Sequence, residues 1–326
     1  MELPLIPPML ATPGTLPPAA QDARWAYETK QDGQRVVVYL PGDGSVLLRA
    51  RSGQDITAAY PELAPLATAL GDTAAVLDGE VLALDEQGRA DFQLLQSRMG
   101  LAHAPVRAAH RAAKVPVHLV LFDALHLAGR SLLRTPYTGR RERLTGLGLN
   151  GPSWSTPAAL VGHGEQALRA TREHGLEGLV CKRLDSVYEP GVRSRAWTKI
   201  RNMRSEDVVV GGWLPGKGRL GGLPGAVLVG QRAAGRLRYV GGVGTGWSAG
   251  ERTELAALLA AAASDVCPFD PVPSVPGARW VVPRLVGEVR YSTRTREGML
   301  RQPSWLRLRP DLAPEESAAD IPDDLV

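Results

Sequence analysis

Lysine is scarce in this chain, which contains five lysines against thirty-three arginines. Arginine stays protonated at any accessible pH, whereas a lysine amine can lose its proton and act as a nucleophile. Three of the five lysines, Lys30, Lys182 and Lys199, lie in short motif-like strings. We therefore look for covalent chemistry first at Lys30, which opens the string KQDGQR at residues 30–35.

Cysteine is also scarce, since Cys181 and Cys267 are the only two, and neither they nor the six histidines show metal-ligand spacing. This excludes a disulfide framework and a zinc-finger pattern, and it favours a reducing compartment. No apolar run approaches the ~18 residues of a membrane span. The Pro-rich first 18 residues lack the basic and apolar regions of a signal peptide. We therefore expect a cytoplasmic protein that does not enter a membrane.

Charge is distributed unevenly along the 326 residues, a length that suits two domains. The net charge is +4, which permits a polyanionic partner. Residues 204–310 carry 15 basic and 8 acidic side chains, a net of +7, whereas residues 311–326 carry six acidic side chains and no basic ones. We expect that acidic tail to be a solvated end, with mimicry of nucleic acid as the alternative.

The first two hundred residues predict an α+β domain with mostly antiparallel strands. Residues 1–24 suggest an irregular lead-in, and residues 25–30 alternate like a strand. Asp32-Gly33 is a hairpin turn signal, which makes residues 36–40 the returning strand. Further strands are predicted at 46–51, 76–84, 116–127, 176–182 and 196–201, and helices at 59–70, 91–99, 137–147 and 163–174.

The pattern changes near residues 202–205, where short β-rich runs separated by glycines begin. Strands are predicted at 207–214, 226–231, 237–243 and 280–290, with one helix at about 248–263. This set suits a small Greek-key barrel of the oligonucleotide-binding type, the OB-fold. We place a first domain at 1–203 and an OB-fold domain with the acidic tail at 204–326.

The string around Lys30 has two interpretations when it is taken alone. A strand that ends at Lys30 and a tight Asp-Gly turn would hold the amine on a rigid element beside a pocket. Arg35 on the returning strand would then favour the neutral amine through its charge. The same four-residue K-x-D-G pattern also fits a hairpin that carries a surface lysine.

An ordered set of strings decides between these interpretations. K-x-D-G-x-R is followed by RSG at 51–53, DGE at 78–80, FD at 122–123, E-G-x-x-x-K at 177–182 and W-x-K-x-R at 197–201. With this set the chain resembles the covalent nucleotidyltransferases, and most closely the ATP-dependent DNA ligases. Within that group it is similar to small bacterial repair ligases and to the ligase module of bacterial end-joining polymerase-ligases. The resemblance implies an antiparallel-sheet adenylation domain followed by an OB-fold domain.

The resemblance also implies a three-step reaction. The Lys30 amine attacks the α-phosphorus of ATP, which gives lysyl-AMP and pyrophosphate. AMP then passes to the 5′-phosphate at a nick in duplex DNA, and the 3′-hydroxyl displaces AMP and seals the strand. A divalent metal ion, Mg²⁺ or Mn²⁺, would neutralise the phosphates.

Three residues are expected around the nucleoside. Glu28 shares a strand face with Lys30 and by resemblance contacts the adenine amino group, although a surface carboxylate is the alternative. Phe122 would stack on the adenine, with core packing as the alternative. Glu80 would lie near the ribose and the metal, with an ordinary strand-edge charge as the alternative.

Two further residues come from the string at 177–182. We expect Glu177 to hold the metal and Lys182 to contact a phosphate. These residues are five apart, so on a regular strand they would point to opposite faces. A bulge or a strand end is needed if both are to serve one pocket.

The remaining cations are expected to contact phosphates. Lys199 and Arg201 share a strand face, which suits a clamp on one phosphate, although family members often have lysine at both places. Arg35 and Arg51 are the candidates for the 5′-phosphate and the nearby DNA backbone.

The last motif is PSWLRLRPDL at residues 303–312. It resembles the family's final R-x-D-K motif in Arg309 and Asp311, but Leu312 replaces the lysine. In the family this motif orients the pyrophosphate leaving group. We expect Arg307 and Arg309, on one strand face, to be the cations left for that task, and self-adenylation to be slow.

We therefore predict a monomeric ATP-dependent DNA ligase that seals nicks in bacterial DNA repair, with a repair polymerase or end-binding protein as a further partner. One alternative is an RNA ligase or a GTP-using capping enzyme, which the string RSGQDIT at 51–57 disfavours. Another is a non-catalytic nucleic-acid-binding protein on a ligase scaffold, which intact Lys30, Glu80, Glu177 and Lys199 argue against.

Overall fold

The structure is a computed structural model that describes residues 3–295 and 297–315. The chain divides into two compact units, Met1–Asn202 and Met203–Val326. Most of the acidic tail predicted at 311–326 lies outside the described residues. Within the described ranges, no helix combines the length and the apolar character that a bilayer crossing requires.

The first unit consists of many short strands and four short α-helices. Its strands are Leu10–Pro13 (β1), Trp25–Thr29 (β2), Gln34–Leu40 (β3), Leu47–Ala50 (β4), Ala75–Ala83 (β5), Val117–Leu127 (β6), Arg130–Ser131 (β7), Trp154–Ser155 (β8), Leu160–Val161 (β9), Gly178–Arg183 (β10) and Arg193–Arg201 (β11). Its α-helices are Phe92–Gln96 (α1), Pro105–Ala112 (α2), Tyr137–Gly146 (α3) and Gly164–Glu173 (α4). Short 3₁₀ helices occupy Ala19–Arg24, Thr57–Ala59, Pro61–Thr68 and Leu101–His103.

These strands form two sheets. One has the order β1-β11-β10-β2-β9, and the other has the order β4-β3-β5-β6-β7, with β8 paired to β6. The described pairs are antiparallel except β1 with β11 and β6 with β8. The structure therefore confirms the predicted α+β class with mostly antiparallel strands.

The predicted hairpin after Lys30 is wrong. Strand β2 pairs with β10 and β9, whereas β3 pairs with β4 and β5, so the two strands belong to different sheets. A two-residue hairpin turn of the Asp-Gly type needs a positive φ at Gly33, and Gly33 is not among the glycines with that geometry. A Cβ at Gly33 would instead lie 2.3 Å from the carbonyl oxygen of Val81, so this glycine permits close approach to β5.

The predicted lead-in and one predicted helix also need correction. Residues 10–13 form β1 against β11, and the backbone amides of Ile6 and Met9 donate to the buried tyrosines Tyr39 and Tyr188 at 3.0 and 2.9 Å. The segment predicted as a helix at 59–70 forms 3₁₀ turns with Pro65 inside, because proline cannot donate the α-helical hydrogen bond. Helix α2 was not predicted, although it begins with proline at its first turn.

In its described residues, 203–295 and 297–315, the second unit is β-rich and contains one α-helix. Its strands are Arg204–Pro215 (β12), Pro224–Ala233 (β13), Arg236–Val243 (β14), Ala263–Ser264 (β15), Arg279–Tyr291 (β16), Thr293–Arg294 (β17), Leu300–Arg301 (β18) and Ser304–Leu308 (β19). The helix is Ala249–Ala261 (α5), and a 3₁₀ turn spans Gly218–Leu220. The main sheet has the order β14-β13-β12-β16-β15, and β19 pairs with β16.

The second unit follows the predicted pattern closely in its central strands and its helix. Helix α5 begins at a capping box in which Ser248 and Glu251 exchange side-chain and backbone hydrogen bonds. Its core is formed mainly by valines of β12, β13 and β16 with Trp247 and Trp305. The strands β15, β17 and β18 are additional to the prediction and have two residues each, whereas β19 covers the segment in which a strand face was expected at Arg307.

Candidate active site

A pocket of about 200 Å³ opens in the first unit where β2, β5, β6, β10 and β11 meet. It brings together eight of the residues predicted from the sequence, namely Glu28, Lys30, Arg35, Arg51, Glu80, Phe122, Lys182 and Lys199. Glu177 adjoins the pocket through an ion pair with Lys30, and Arg201 adjoins it through an ion pair with Glu177. The predicted constellation is therefore a single place in the fold, except for Arg309.

Lys30 lies directly after the last residue of β2. Its backbone amide donates to the carbonyl oxygen of Gly178 at 2.9 Å, so the chain is still held against the start of β10. Its ammonium Nζ lies 2.5 Å from Glu177 Oε2, and both side chains are largely buried. The amine thus sits on a fixed backbone position with a carboxylate in direct contact.

Glu177 lies just before the first residue of β10. Glu177 and Lys182 are five residues apart, and on a regular strand they would point to opposite faces. A strand end, and not a regular strand, separates the two side chains. Arg201 approaches the other oxygen of Glu177, with Nε 3.3 Å from Oε1. Burial raises the pKa of Glu177, and the neighbouring Lys30 opposes that change.

Glu80 lies on β5 opposite Arg35 of β3. Burial raises the pKa of its carboxyl to about 7, while the charges of Arg35 and Lys30 act in the opposite direction. The negative charges of Asp78 and Glu177 contribute to the increase. Glu80 and Glu177 are therefore close enough to influence each other electrostatically.

Glu28 and Lys182 form a buried ion pair at one end of the pocket. Lys182 Nζ lies 2.7 Å from Glu28 Oε2, and the Lys182 side chain is only 1% exposed. The same ammonium lies 4.6 Å from the ring centroid of Phe122 and 4.3 Å from that of Trp197. The structure thus places Lys182 beside Glu28 and the aromatic rings, and its contact with a phosphate stays a prediction.

Arg35 is also held by a partner that the sequence did not reveal. Its Nε and Nη2 donate to the two carboxylate oxygens of Asp78 at 2.6 and 2.7 Å. The hydroxyl of Tyr188 donates to Asp78 at 2.5 Å, and Asp78 is fully buried. The guanidinium lies 4.6 Å from the ring centroid of Phe122, on which it stacks as a cation.

Lys199 and Arg51 are the less constrained cations of the pocket. Neither side chain forms an ion pair or a hydrogen bond within the described residues, and Arg51 is exposed. Burial lowers the pKa of Lys199, and the nearby charges of Arg201 and Lys30 lower it further. Lys199 and Arg201 are two apart on β11, but Arg201 is engaged with Glu177, and their clamp on one phosphate stays a prediction.

Sequence reasoning assigned no role to three residues at the pocket: Arg193 and Trp197 line it, and Tyr137 donates a hydrogen bond to Glu28. The register between β1 and β11 shifts so that Ala11 aligns with Ser194 but Thr12 aligns with Thr198. Trp197, which lies within the shifted stretch of β11, is buried in the pocket wall. No sequence signal marks such a shift.

The carboxylates present fit a magnesium ion that arrives with a nucleotide. Within the described residues there is no cluster of three or more histidine, cysteine, aspartate or glutamate side chains of the kind that cages a metal. Magnesium, however, is usually held by one or two carboxylates together with substrate phosphates and water. Glu80 and Glu177 supply two such carboxylates beside Lys30.

Arg309 lies in the second unit and is held there by two carboxylates. Its Nη1 lies 2.9 Å from Asp207 and its Nη2 lies 2.8 Å from Asp311. Strand β19 ends at Leu308, but the amide of Arg309 still donates to the carbonyl oxygen of Val286 at 2.8 Å, so pairing with β16 continues. Arg307 pairs with Glu288 at 2.8 Å. That Arg307 and Arg309 share a strand face and orient pyrophosphate stays a prediction.

Family models match both units. Residues 8–201 match the ATP dependent DNA ligase domain, and residues 221–312 match the ATP dependent DNA ligase C terminal region. These two matches do not favour the RNA-ligase and capping alternatives.

Individual relatives agree with the models. The chain is 43% identical over 312 residues to the multifunctional non-homologous end joining DNA repair protein LigD of Mycobacterium tuberculosis, which covers 95% of this chain and 39% of that protein. It is 33% identical to the LigD protein of Pseudomonas aeruginosa, covering 97% of this chain and 37% of that one. The chain therefore spans about two fifths of the length of these relatives.

Solved structures give the same answer. The ligase domain of M. tuberculosis LigD has a TM-score of 0.56 at 42% identity, covering 97% of this chain and 98% of that one. A Lig E DNA ligase shares the fold, with a TM-score of 0.61 at 21% identity over 94% of this chain and 100% of that one. The predicted adenylation domain followed by an OB-fold domain is thereby confirmed. The chain belongs to the ATP-dependent DNA ligase family.

Proposed function

We propose that this chain seals 3′-hydroxyl/5′-phosphate nicks in duplex DNA through a lysyl-AMP intermediate on Lys30 and a DNA-adenylate. Residues 1–203 would carry adenylation, and residues 204–326 would supply the OB-fold domain. The observation that carries this proposal is the position of Lys30. Its amine contacts Glu177 in a pocket with an aromatic and acidic end at Glu28 and Phe122 and further cations around it.

In the first step the Lys30 nitrogen forms a bond to the α-phosphorus of ATP, and the bond from that phosphorus to the bridging oxygen of pyrophosphate breaks. The attacking amine must give up a proton. Its proton would pass to solvent, because Glu177, whose Oε2 lies 2.5 Å from Nζ, is assigned to the metal ion and cannot hold both. Arg201 would keep the same carboxylate oriented through its contact with Oε1.

The two ends of the pocket would serve different parts of ATP. Phe122 offers a flat ring for the adenine and Glu28 an acceptor for its amino group. Lys199, Arg51 and Arg35 would face the phosphates and later the 5′-phosphate of the nick, because charge-assisted contacts to phosphate are strong. Bound magnesium would neutralise phosphate charge, and Glu80 and Glu177 are the residues that would hold it.

Grip on the duplex would come mainly from phosphate contacts, as expected of a basic second domain. Residues 204–310 carry the net charge of +7 that such contacts need. The relatives named for non-homologous end joining support a role in bacterial end-joining repair, in which a repair polymerase and an end-binding protein would be partners. We propose that the chain acts as a monomer in the cytoplasm.

The decisive experiment is transfer of label from α-labelled ATP to the protein. Lys30→Ala should abolish the transfer while the variant stays folded, because Arg201 still contacts Glu177 when the amine is removed. Lys114→Ala, at an exposed lysine outside the pocket, is the matched control and should label normally. Label that persists in Lys30→Ala would show that another residue is the nucleophile, and transfer from GTP or sealing confined to RNA would refute the proposed substrate.

A further inference from the structure

Helix α3 supports the two residues that form the base end of the pocket. Arg140 makes a buried bidentate ion pair with Asp123, at 2.8 and 3.0 Å, next to Phe122 in the chain. Arg141 donates to the carbonyl oxygen of Phe122 at 3.2 Å. Tyr137, the first residue of the helix, donates its hydroxyl to Glu28 Oε1 at 2.6 Å. One face of α3 thus fixes the backbone around Phe122 and the carboxylate of Glu28.

The contacts of Glu28 determine which hydrogen-bonding groups remain available to a ligand. Tyr137 donates to Oε1, and Lys182 donates to Oε2 at 2.7 Å. Burial, followed by the charge of Glu28, raises the pKa of Tyr137 well above its ordinary value, so the hydroxyl keeps its proton and remains a donor. An ionised carboxylate accepts at about four lone-pair positions. Two are occupied, and those left toward the pocket can only accept.

We propose that Tyr137 is a positioning residue for nucleotide choice, because with Lys182 it holds Glu28 as an acceptor-only wall that selects a purine with an amino group at C6. This inference rests on the proposed function, since it concerns the nucleotide that adenylates Lys30. Glu28 itself is the expected contact to that amino group. The new assignment is Tyr137, which lies 109 residues away in the chain and carries no motif.

The carboxylate of Glu28 discriminates between purines because a purine without a donor at C6 leaves it without a hydrogen-bond partner. The C6 amine of adenine donates a hydrogen bond to the free lone pair of Glu28. A purine with a C6 carbonyl presents an acceptor to the same carboxylate, so both groups lose their solvation without gaining a partner. The hydroxyl of Tyr137 prevents the carboxylate from rotating away. Without it, Oε1 of Glu28 loses its hydrogen bond and keeps only the more distant Arg141 Nη1, at 3.9 Å.

The experiment measures kcat/KM for self-adenylation with three nucleotides, namely ATP, inosine triphosphate and purine riboside triphosphate. The last has hydrogen at C6 and therefore isolates the amino group. The enzyme is compared with Tyr137→Phe, which removes only the hydroxyl. Tyr27→Phe is the matched control, because Tyr27 is also buried and also donates to a carboxylate, that of Asp22, but Asp22, unlike Glu28, does not line the pocket.

We expect the unaltered enzyme to prefer ATP over both analogues by about 10- to 100-fold, as for a hydrogen bond to a charged group. Tyr137→Phe should reduce this preference by about 3- to 10-fold, mainly through a higher KM for ATP with kcat little changed. Tyr27→Phe should keep the full preference for ATP, even if it lowers the melting temperature as much as Tyr137→Phe does.

An unchanged preference in a folded Tyr137→Phe variant would overturn the assignment while leaving the ligase proposal intact. If that variant does not fold, purine riboside triphosphate with the unaltered enzyme still decides. Use of this analogue as efficiently as ATP would mean that no group reads the C6 amine and would overturn the inference. Absence of any labelling from ATP would instead refute the proposed function itself.

Discussion

Variants of the ion pair between Arg35 and Asp78 can separate the structural role of Arg35 from its expected role in binding phosphate. The three variants are Asp78→Asn, Arg35→Met and the double variant. Asp78 is fully buried and receives two hydrogen bonds from Arg35 and one from Tyr188. Asparagine keeps the shape of the side chain but removes the charge that the guanidinium faces.

The expected magnitude follows from burial. Removing one partner of a buried pair costs about 3–5 kcal/mol. The Arg35 side chain is 21% exposed and so retains some contact with water, which places Asp78→Asn near the lower limit, at about 3 kcal/mol. In a unit of this size each kcal/mol lowers the melting temperature by about 2–4 °C, so we expect a decrease of roughly 6–12 °C. The double variant should recover at least ~1 kcal/mol of the summed losses.

The assay is a double-mutant cycle from urea unfolding, combined with single-turnover sealing of pre-adenylated nicks. Glu62→Gln is the matched control, because Glu62 binds buried Arg98 through two hydrogen bonds at 2.6 and 2.9 Å but does not line the pocket. Arg35→Met should slow sealing far more than Asp78→Asn, since only the first removes the cation. A coupling energy below ~0.5 kcal/mol would refute the energetic argument. Equal loss of sealing in all three variants would refute a phosphate contact by Arg35.

Three further predictions concern other parts of the molecule. Because burial raises the pKa of Glu80 to about 7, the rate of self-adenylation should rise between roughly pH 6 and 8 as this carboxyl ionises. Glu80→Gln should lower the rate and flatten that rise, as measured by label transfer against pH. Leu312→Lys should speed self-adenylation and Arg309→Ala should slow it, both without changing the sealing of pre-adenylated nicks; equal slowing of both steps by Arg309→Ala would assign that residue to DNA or to the fold. Affinity for nicked duplex should fall linearly on a log–log plot against salt, with a slope of about 0.9 per phosphate neutralised, and a flat titration would contradict binding through phosphates.

The sequence could predict which residue types meet in the pocket but not which of them bind each other. The strings around Lys30, Glu177 and Lys199 meet at one pocket, and the roles assigned to these residues stay predictions. The contact between Lys30 and Glu177 joins residues 147 apart in the chain, and its formation depends on where β10 begins. Local patterns contain no information on such a boundary to within one residue.

The hairpin prediction failed because a local turn signal competed with long-range strand pairing. Asp32-Gly33 matches a two-residue turn, but β2 gains two partners, β10 and β9, by staying in its own sheet. The chain then crosses to the second sheet over the same residues. Lys30 is consequently at a crossing between sheets, which exposes the amine to the space between β2 and β5 in a way that a hairpin would not.

Helix α3 illustrates a different limit of sequence reasoning. Its sequence, YTGRRERLTG, has four charged residues in ten and reads as a solvated surface helix. The structure nevertheless buries Tyr137, Arg140 and Arg141. Each of them has partners elsewhere in the unit, which is the condition under which polar groups can be buried. Those partners belong to other elements, so hydrophobic periodicity cannot reveal them.

The distribution of partners divides the pocket into a fixed end and an available end. At the base end, Glu28 and Lys182 neutralise each other, and Tyr137 occupies a further lone pair, so little charge remains for an anion. Arg51 and Lys199 at the other end have no ion-pair partner within the described part of the chain. An anionic ligand therefore gains most where cations are unpaired, while a neutral base loses least where charges are already compensated. We therefore expect this asymmetry to orient a nucleotide with its base toward Glu28 and its phosphates toward Lys30, before any metal ion contributes.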